Sequence, residues 1–304
     1  WDFDFVVQLT SEGITGATGT HNIHDVTAPA SISDLSVNPN VWTSTNDFTL
    51  NWSNPAEHSG VAGAHYSING SGDTYITGQN ITTLTSLALP ANDASTFDIW
   101  LEDNAGNDDG GTAQSIVAKW DDTPPTVFDV TAPLQAWYNT LFLRFEWEAS
   151  SDATAGLQYY ELDVNEGSIY QQHPDSTGFD FPDGFAAGTH TWTISAFDSS
   201  GNERVTSNPQ IFNVDYFSPG IAHTPVPEGI KNEPVTIYAT FTDDASGIVS
   251  AELYYRKGGE VQWQGPVDMS QSPGDEISKV IASTYVTSAG MEYKIYARDV
   301  AGNE

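Results

Sequence analysis

The sequence predicts an all-β chain built from β-sandwiches in tandem, and three observations carry that expectation. Short runs alternate apolar and polar residues with a period of two. Clusters of Gly, Pro, Asn, Asp and Ser part these runs about every ten residues, the pattern of a sandwich or barrel. One phrase is also written three times at the spacing of a small domain. No stretch carries the 3.6-residue period of a helix of any length.

The repeated phrase is an alternation of aromatic and aliphatic residues that runs into Asp and then Gly-Asn. Phe97, Ile99 and Leu101 lead to Asp103, Gly106 and Asn107; Trp192, Ile194 and Ala196 lead to Asp198, Gly201 and Asn202; Tyr293, Ile295 and Ala297 lead to Asp299, Gly302 and Asn303. The Asp residues stand 95 and 101 positions apart. Solenoid units repeat every 20–50 residues or so, which makes each period here a whole domain.

Taken in order, residues 1–24 match the last two strands of the later modules, with Phe5–Leu9 followed by Ser11 and Gly13, and are expected to be the tail of a preceding one. The first module, 25–120, opens with Asp25 four residues before Pro29 and carries the run Phe48–Trp52. The second, 121–214, opens with Asp121 and Pro125 and carries Leu143–Trp147. The third, 215–304, opens with Asp215 and Pro219, carries Val235–Phe241, and stops at Asn303-Glu304 before a final strand would form. Proline stiffens each linker by fixing φ and restricting the residue before it. Both ends are expected to cut through modules, as in a window on a longer chain or a filament whose neighbours supply the missing strand.

Three phrases also carry a resemblance. Asp-Asp-x-Ser-Gly-Ile (Asp243 to Ile248), Glu-Leu-Tyr-Tyr (Glu252 to Tyr255) and Tyr-x-Ile-x-Ala-x-Asp-x-Ala-Gly-Asn (Tyr293 to Asn303) resemble bacterial and archaeal immunoglobulin-like modules of the fibronectin type III sort. Such modules occur in tandem in S-layer proteins, large adhesins and secreted polysaccharide-degrading enzymes. The resemblance covers essentially the whole chain. It implies tandem immunoglobulin-like β-sandwich domains in an extracellular, cell-surface setting, and it specifies fold and setting more than activity.

Charge narrows the partners. With 41 Asp and Glu against 9 Lys and Arg, the net charge is −32, which repels nucleic acid and anionic lipid and attracts cations. No run approaches the roughly 20 apolar residues of a membrane span. There is no cysteine, so rigidity has to come from packing or from bound ions.

In a seven-stranded sandwich of this type the start of strand A and the B–C and F–G loops share one pole. That gathers Asp25, Glu57, Asp103 and Asn107 in the first module, and Asp121, Asp152, Asp198 and Asn202 in the second. In the third it gathers Asp215, Asp243 or Asp244, Asp299 and Asn303. Carboxylates beside Asn and backbone carbonyls suit calcium, which takes six to eight oxygens in flexible geometry. The alternative is turn chemistry alone, with Asp accepting backbone N–H bonds and Gly supplying positive φ.

Other chemistry is sparse. Trp52, Trp147 and Trp192 fall on core-facing positions, whereas Trp42, Trp137 and Trp263 fall outside the alignment and are candidates for ligand contact. Tyr159-Tyr160 and Tyr254-Tyr255 each place one ring in and one out of a sheet. Asn51, Asn69 and Asn80 head glycosylation sequons, Asn69 foremost because it lies in a Gly-rich turn. No His-x-x-x-His, Gly-x-Ser-x-Gly or phosphate loop is present, and the chain is not expected to be an enzyme. The expected role is structural: a calcium-stiffened subunit of a cell-surface layer or filament, assembling with identical subunits and carrying glycans. An adhesin stalk or accessory modules of a polysaccharide-degrading enzyme are the alternatives.

Overall fold

The computed structural model describes residues 25–206, 209–270 and 276–304, together with the backbone of strands β1 (Phe3–Val6) and β2 (Thr20–Ile23). Those two strands pair antiparallel, Phe3 opposite Ile23. The assignment of residues 1–24 to a preceding module otherwise lies outside the described residues.

Three pairs of sheets follow. The first contains β3 (Ser33–Asn38), β4 (Phe48–Ser53), β5 (Val61–Ile68), β6 (Ser71–Thr77), β7 (Thr83–Leu87), β8 (Asp93–Asp103) and β9 (Gln114–Trp120). One sheet has the order β3-β4-β7 and the other β6-β5-β8-β9. In sandwich lettering this is A-B-E facing C′-C-F-G, with the fourth strand on the C side, the fibronectin type III arrangement of the immunoglobulin-like sandwich. The second pair contains β10 (Val130–Ala132), β11 (Trp137–Tyr138), β12 (Arg144–Trp147), β13 (Leu157–Val164), β14 (Ser168–Gln172), β15 (Gly178–Asp180), β16 (Gly188–Asp198), β17 (Glu203–Val205) and β18 (Gln210–Val214). Its orders are β10-β12-β15 and β11-β18-β16-β13-β14, and β11 runs parallel to β18. The third contains β19 (Gly220–Ala222), β20 (Val235–Thr242), β21 (Ile248–Lys257), β22 (Gln264–Asp268), β23 (Glu276–Ile281) and β24 (Met291–Asp299), ordered β19-β20-β23 and β22-β21-β24. Among the described residues the only helical turns are Gly110–Thr112 and Ser283–Tyr285, and no helix is long and apolar enough to cross a membrane.

By compactness the chain divides into two units. One runs to Thr126 and takes in Ser150–Tyr159 and Ala196–Arg204; the other comprises Val127–Ala149, Tyr160–Ser195 and Val205–Glu304.

Within the first unit, Phe48, Leu50 and Trp52 alternate with exposed or half-exposed neighbours and bury against Phe97, Ile99 and Leu101. Within the second, Phe145 sits at the centre of an aromatic core, 5.0 Å from Trp192 and 5.9 Å from Phe212 in edge-on contacts. The Trp192 indole N–H donates to the Pro133 carbonyl at 3.2 Å, which satisfies its buried donor. Phe241, Ile237 and Leu253 fill the corresponding place around β20 and β21. Trp52, Trp147 and Trp192 are therefore core residues. Tyr160 and Tyr255 pack inward while Tyr159 and Tyr254 take the outer face, Tyr159 stacked on Phe197 at 4.8 Å.

Candidate metal centres

The buried alternation of the F strands ends on acids. Phe97, Ile99, Leu101 and Asp103 share one phase of β8, so the carboxylate of Asp103 continues the core face and is fully buried. Asp198 on β16 and Asp299 on β24 occupy the same place, at 0% and 1% exposure. An unmet carboxylate there would cost several kcal/mol, and the following turn meets it. Asp103 Oδ1 accepts the N–H groups of Ala105 (2.8 Å) and Asn107 (2.9 Å). Asp198 Oδ1 accepts those of Ser200 (2.8 Å) and Asn202 (2.9 Å), and Asp299 Oδ1 those of Gly302 (2.7 Å) and Asn303 (2.8 Å). Gly106, Gly201 and Gly302 close these turns at φ of 86°, 85° and 96°, values an L side chain rarely adopts.

The amide N–H groups of the asparagines have a structural role of their own. The amide of Asn107 donates to Asp103 Oδ2 and to the backbone carbonyl of Asp25, both at 2.9 Å. Asn202 bridges Asp198 Oδ2 (2.7 Å) to the Asp121 carbonyl (2.8 Å), and Asn303 bridges Asp299 Oδ2 (2.7 Å) to the Asp215 carbonyl (2.9 Å). Each Asn is a clasp that draws the linker Asp onto the end of strand F.

That clasp brings the linker carboxylate to the pole. Asp25, Glu57 and Asp103, then Asp121, Asp152 and Asp198, then Asp215, Asp243 and Asp299 form three triads, each with one ligand oxygen per residue and all three oxygens within 4.8 Å of one another. Asp121 is also tied backward, its N–H donating to the Thr43 carbonyl at 3.0 Å, and Asp215 likewise to Tyr138 at 2.9 Å. The B–C acid caps its own loop: Asp152 Oδ1 accepts from Thr154 and Gly156, and Asp243 Oδ2 from Ala245 and Gly247. Asp244, the alternative third-module ligand, is exposed and stands outside the triad.

The first module departs from the others by one residue. Gly60, Gly156 and Gly247 are equivalent, each accepting from the residue after the F-strand Asp (Asn104, Ser199 and Val300). Counting back four places from Gly60 gives Ala56 where the other modules have Asp152 and Asp243. Glu57, one position on and one methylene longer, returns the carboxylate to the same pole.

Electrostatics differ among the triads. At Asp103 burial is the largest influence and pushes upward, yet the bonds from Asn107 and Ala105 together hold the carboxyl below the ordinary range. At Asp121 burial again leads, and the neighbouring Asp152 and Asp198 add to it, so this carboxyl is held above its ordinary value despite the N–H groups of Thr123 and Ala155. In the third triad Asp243 Oδ1 is a buried oxygen without a hydrogen-bond partner among the described residues.

Trp42, Trp137 and Trp263 are half-buried, and Trp263 has Arg256 4.3 Å and Lys294 4.8 Å from its ring centroid. All three sequon asparagines are exposed. Asn69 is nevertheless engaged, donating to Ser95 Oγ at 3.2 Å and accepting from the Thr96 N–H at 2.9 Å. Asn51 is exposed on β4. Sequence reading missed a fourth cluster, His65 with Glu102 and Asp108. Its one signal was an outward-facing His on β5 opposite an outward-facing Trp on β8.

No protein-family model matches the chain, and no curated protein matches it. Among solved structures, the fibronectin(III)-like modules of CbhA from Clostridium thermocellum are 16% identical, covering 59% of this chain and 92% of that one at a TM-score of 0.34. The FN1–FN3 domains of chicken CNTN1 are 13% identical over 91% of this chain and 95% of that one (TM-score 0.29). The central fibronectin-III array of RIM-binding protein is 11% identical over 91% and 94% (TM-score 0.25). The assignment of this chain as tandem fibronectin type III-like sandwiches rests on its own strand order.

Proposed function

We propose that this chain is a non-catalytic, extracellular structural element of a cell-surface layer or filament, and that calcium bound at the acidic poles sets its stability. The observation that carries the proposal is the recurrence of one three-carboxylate pole at the same place in each sandwich. Hairpin chemistry accounts for the F-strand Asp and its turn by itself. The linker and B–C acids also accept backbone N–H bonds in their own loops, but turn chemistry does not call for all three carboxylates to converge, because three in a partly buried site repel one another.

A hard cation removes that repulsion and uses the lone pairs that the N–H bonds leave free, since a carboxylate offers about four. The partnerless Asp243 Oδ1 is one such acceptor. Calcium's remaining positions would go to water. The acidic coat favours the same cation and disfavours nucleic acid and anionic lipid as partners. Identical subunits and glycans remain the proposed partners.

Electron microscopy of the purified chain with and without calcium tests the role. Ordered sheets or filaments that disperse in chelator are expected. Dispersed particles in both conditions would overturn the layer and filament reading.

A further inference from the structure

The outer face of the β6-β5-β8-β9 sheet carries a group that the acidic poles do not use. Tyr75, His65 and Trp100 stand directly opposite one another on β6, β5 and β8. The Trp100 ring lies flat on the imidazole, 5.2 Å between centroids and 10° between planes, and Tyr75 covers it from the other side at 4.7 Å. The side chain of His65 is 9% exposed although it faces away from the core. Both of its nitrogens meet carboxylates: Nδ1 lies 2.7 Å from Asp73 Oδ1 and Nε2 lies 3.2 Å from Glu102 Oε2. Asp108, pinned by a 3.3 Å bond from the Trp100 indole N–H to its Oδ1, brings a third ligand atom within 4.8 Å of the other two.

A neutral imidazole has one N–H and one lone pair. The shorter contact takes the N–H, so Nδ1–H donates to Asp73 and the Nε2 lone pair points at acceptor oxygens. Only a cation reconciles that arrangement. A proton on Nε2 bridges it to Glu102 and leaves Asp108 to the Trp100 indole N–H, whereas a metal ion engages all three groups at once.

We propose that His65 Nε2, Glu102 and Asp108 form a transition-metal site of the zinc class, with Asp73 as the positioning residue that fixes the imidazole tautomer. Tetrahedral zinc with bonds of about 2.0–2.2 Å sets neighbouring ligands roughly 3.4 Å apart, close to the 3.2 Å between Nε2 and Glu102. A carboxylate on the far ring nitrogen is the usual outer support of a zinc-bound His. The imidazole also separates this site from the poles, because calcium prefers oxygen throughout.

The test is a Zn²⁺ titration of the intact chain by calorimetry, with excess Ca²⁺ present to occupy the oxygen poles. One zinc site per chain is expected. Asp73→Asn should weaken it about 10–100-fold, and Asp108→Asn or His65→Gln should weaken it at least as much. Asp108 is exposed, so D108N keeps the test valid if H65Q fails to fold. In parallel, one equivalent of Zn²⁺ should shift the His65 ring nitrogen resonances of the unmodified chain. Zinc binding that D108N and D73N leave unchanged, or His65 resonances that zinc does not move, would overturn the proposal and leave a proton-bridged clasp.

Discussion

Asp103, Asp198 and Asp299 face the core at the ends of their strands, and each depends on one asparagine amide to satisfy its second oxygen. Replacing Asn107, Asn202 or Asn303 with Ala removes the donor from both that oxygen and the linker carbonyl. Each change should destabilise its sandwich by about 1–3 kcal/mol, the cost of leaving a buried acceptor unmet, as read by urea unfolding. The pH behaviour of two acids should have opposite signs. Asp103, held low, contributes stability that is present above the ordinary carboxylate value and lost as pH falls through its depressed value. Asp121, held high, contributes stability that is present below the ordinary value and lost as pH rises through its raised one. Asp121→Asn should therefore raise stability near neutral pH in chelator and reduce the gain that calcium brings. Carboxyl NMR titration and melts with and without calcium check both signs.

Strands follow the same logic of phase. The core-facing Trp52, Phe97, Trp147, Trp192 and Phe241 were legible because a period-two pattern with one buried face declares which side is which. The triads were legible because the F-strand acid continued that phase and the sandwich topology supplied the other two loops. Less visible was anything set by neighbours across strands. The two-residue β11, parallel to β18, has no local signature. His65 reads as a solvent-facing residue until Tyr75 and Trp100 are placed on either side of it. The clasp role of the asparagines needs the linker carbonyl in position, and the Asn69 bonds need β8 alongside its turn. Phe145→Ala, which opens the aromatic core at its centre, should cost about 3–5 kcal/mol in thermal or urea unfolding. Gly201→Ala meets no atom nearby but forces a positive φ, and should cost about 1–2 kcal/mol by the same measurement.

Across the whole molecule a net charge of −32 acts on every sandwich at once. General salt would relieve that repulsion gradually, in proportion to ionic strength. Ions held at defined poles act differently, saturating at low concentration and stabilising by RT ln(1 + [L]/Kd), about 2.7 kcal/mol at a hundredfold excess over Kd. Scanning calorimetry from chelator through stepwise calcium, against sodium chloride of matched ionic strength, separates the two. A calcium-specific rise in Tm that saturates, and that Asp198→Asn and Asp299→Asn each diminish, is the predicted result. Melts that coincide in chelator and calcium, or that track ionic strength alone, would contradict it.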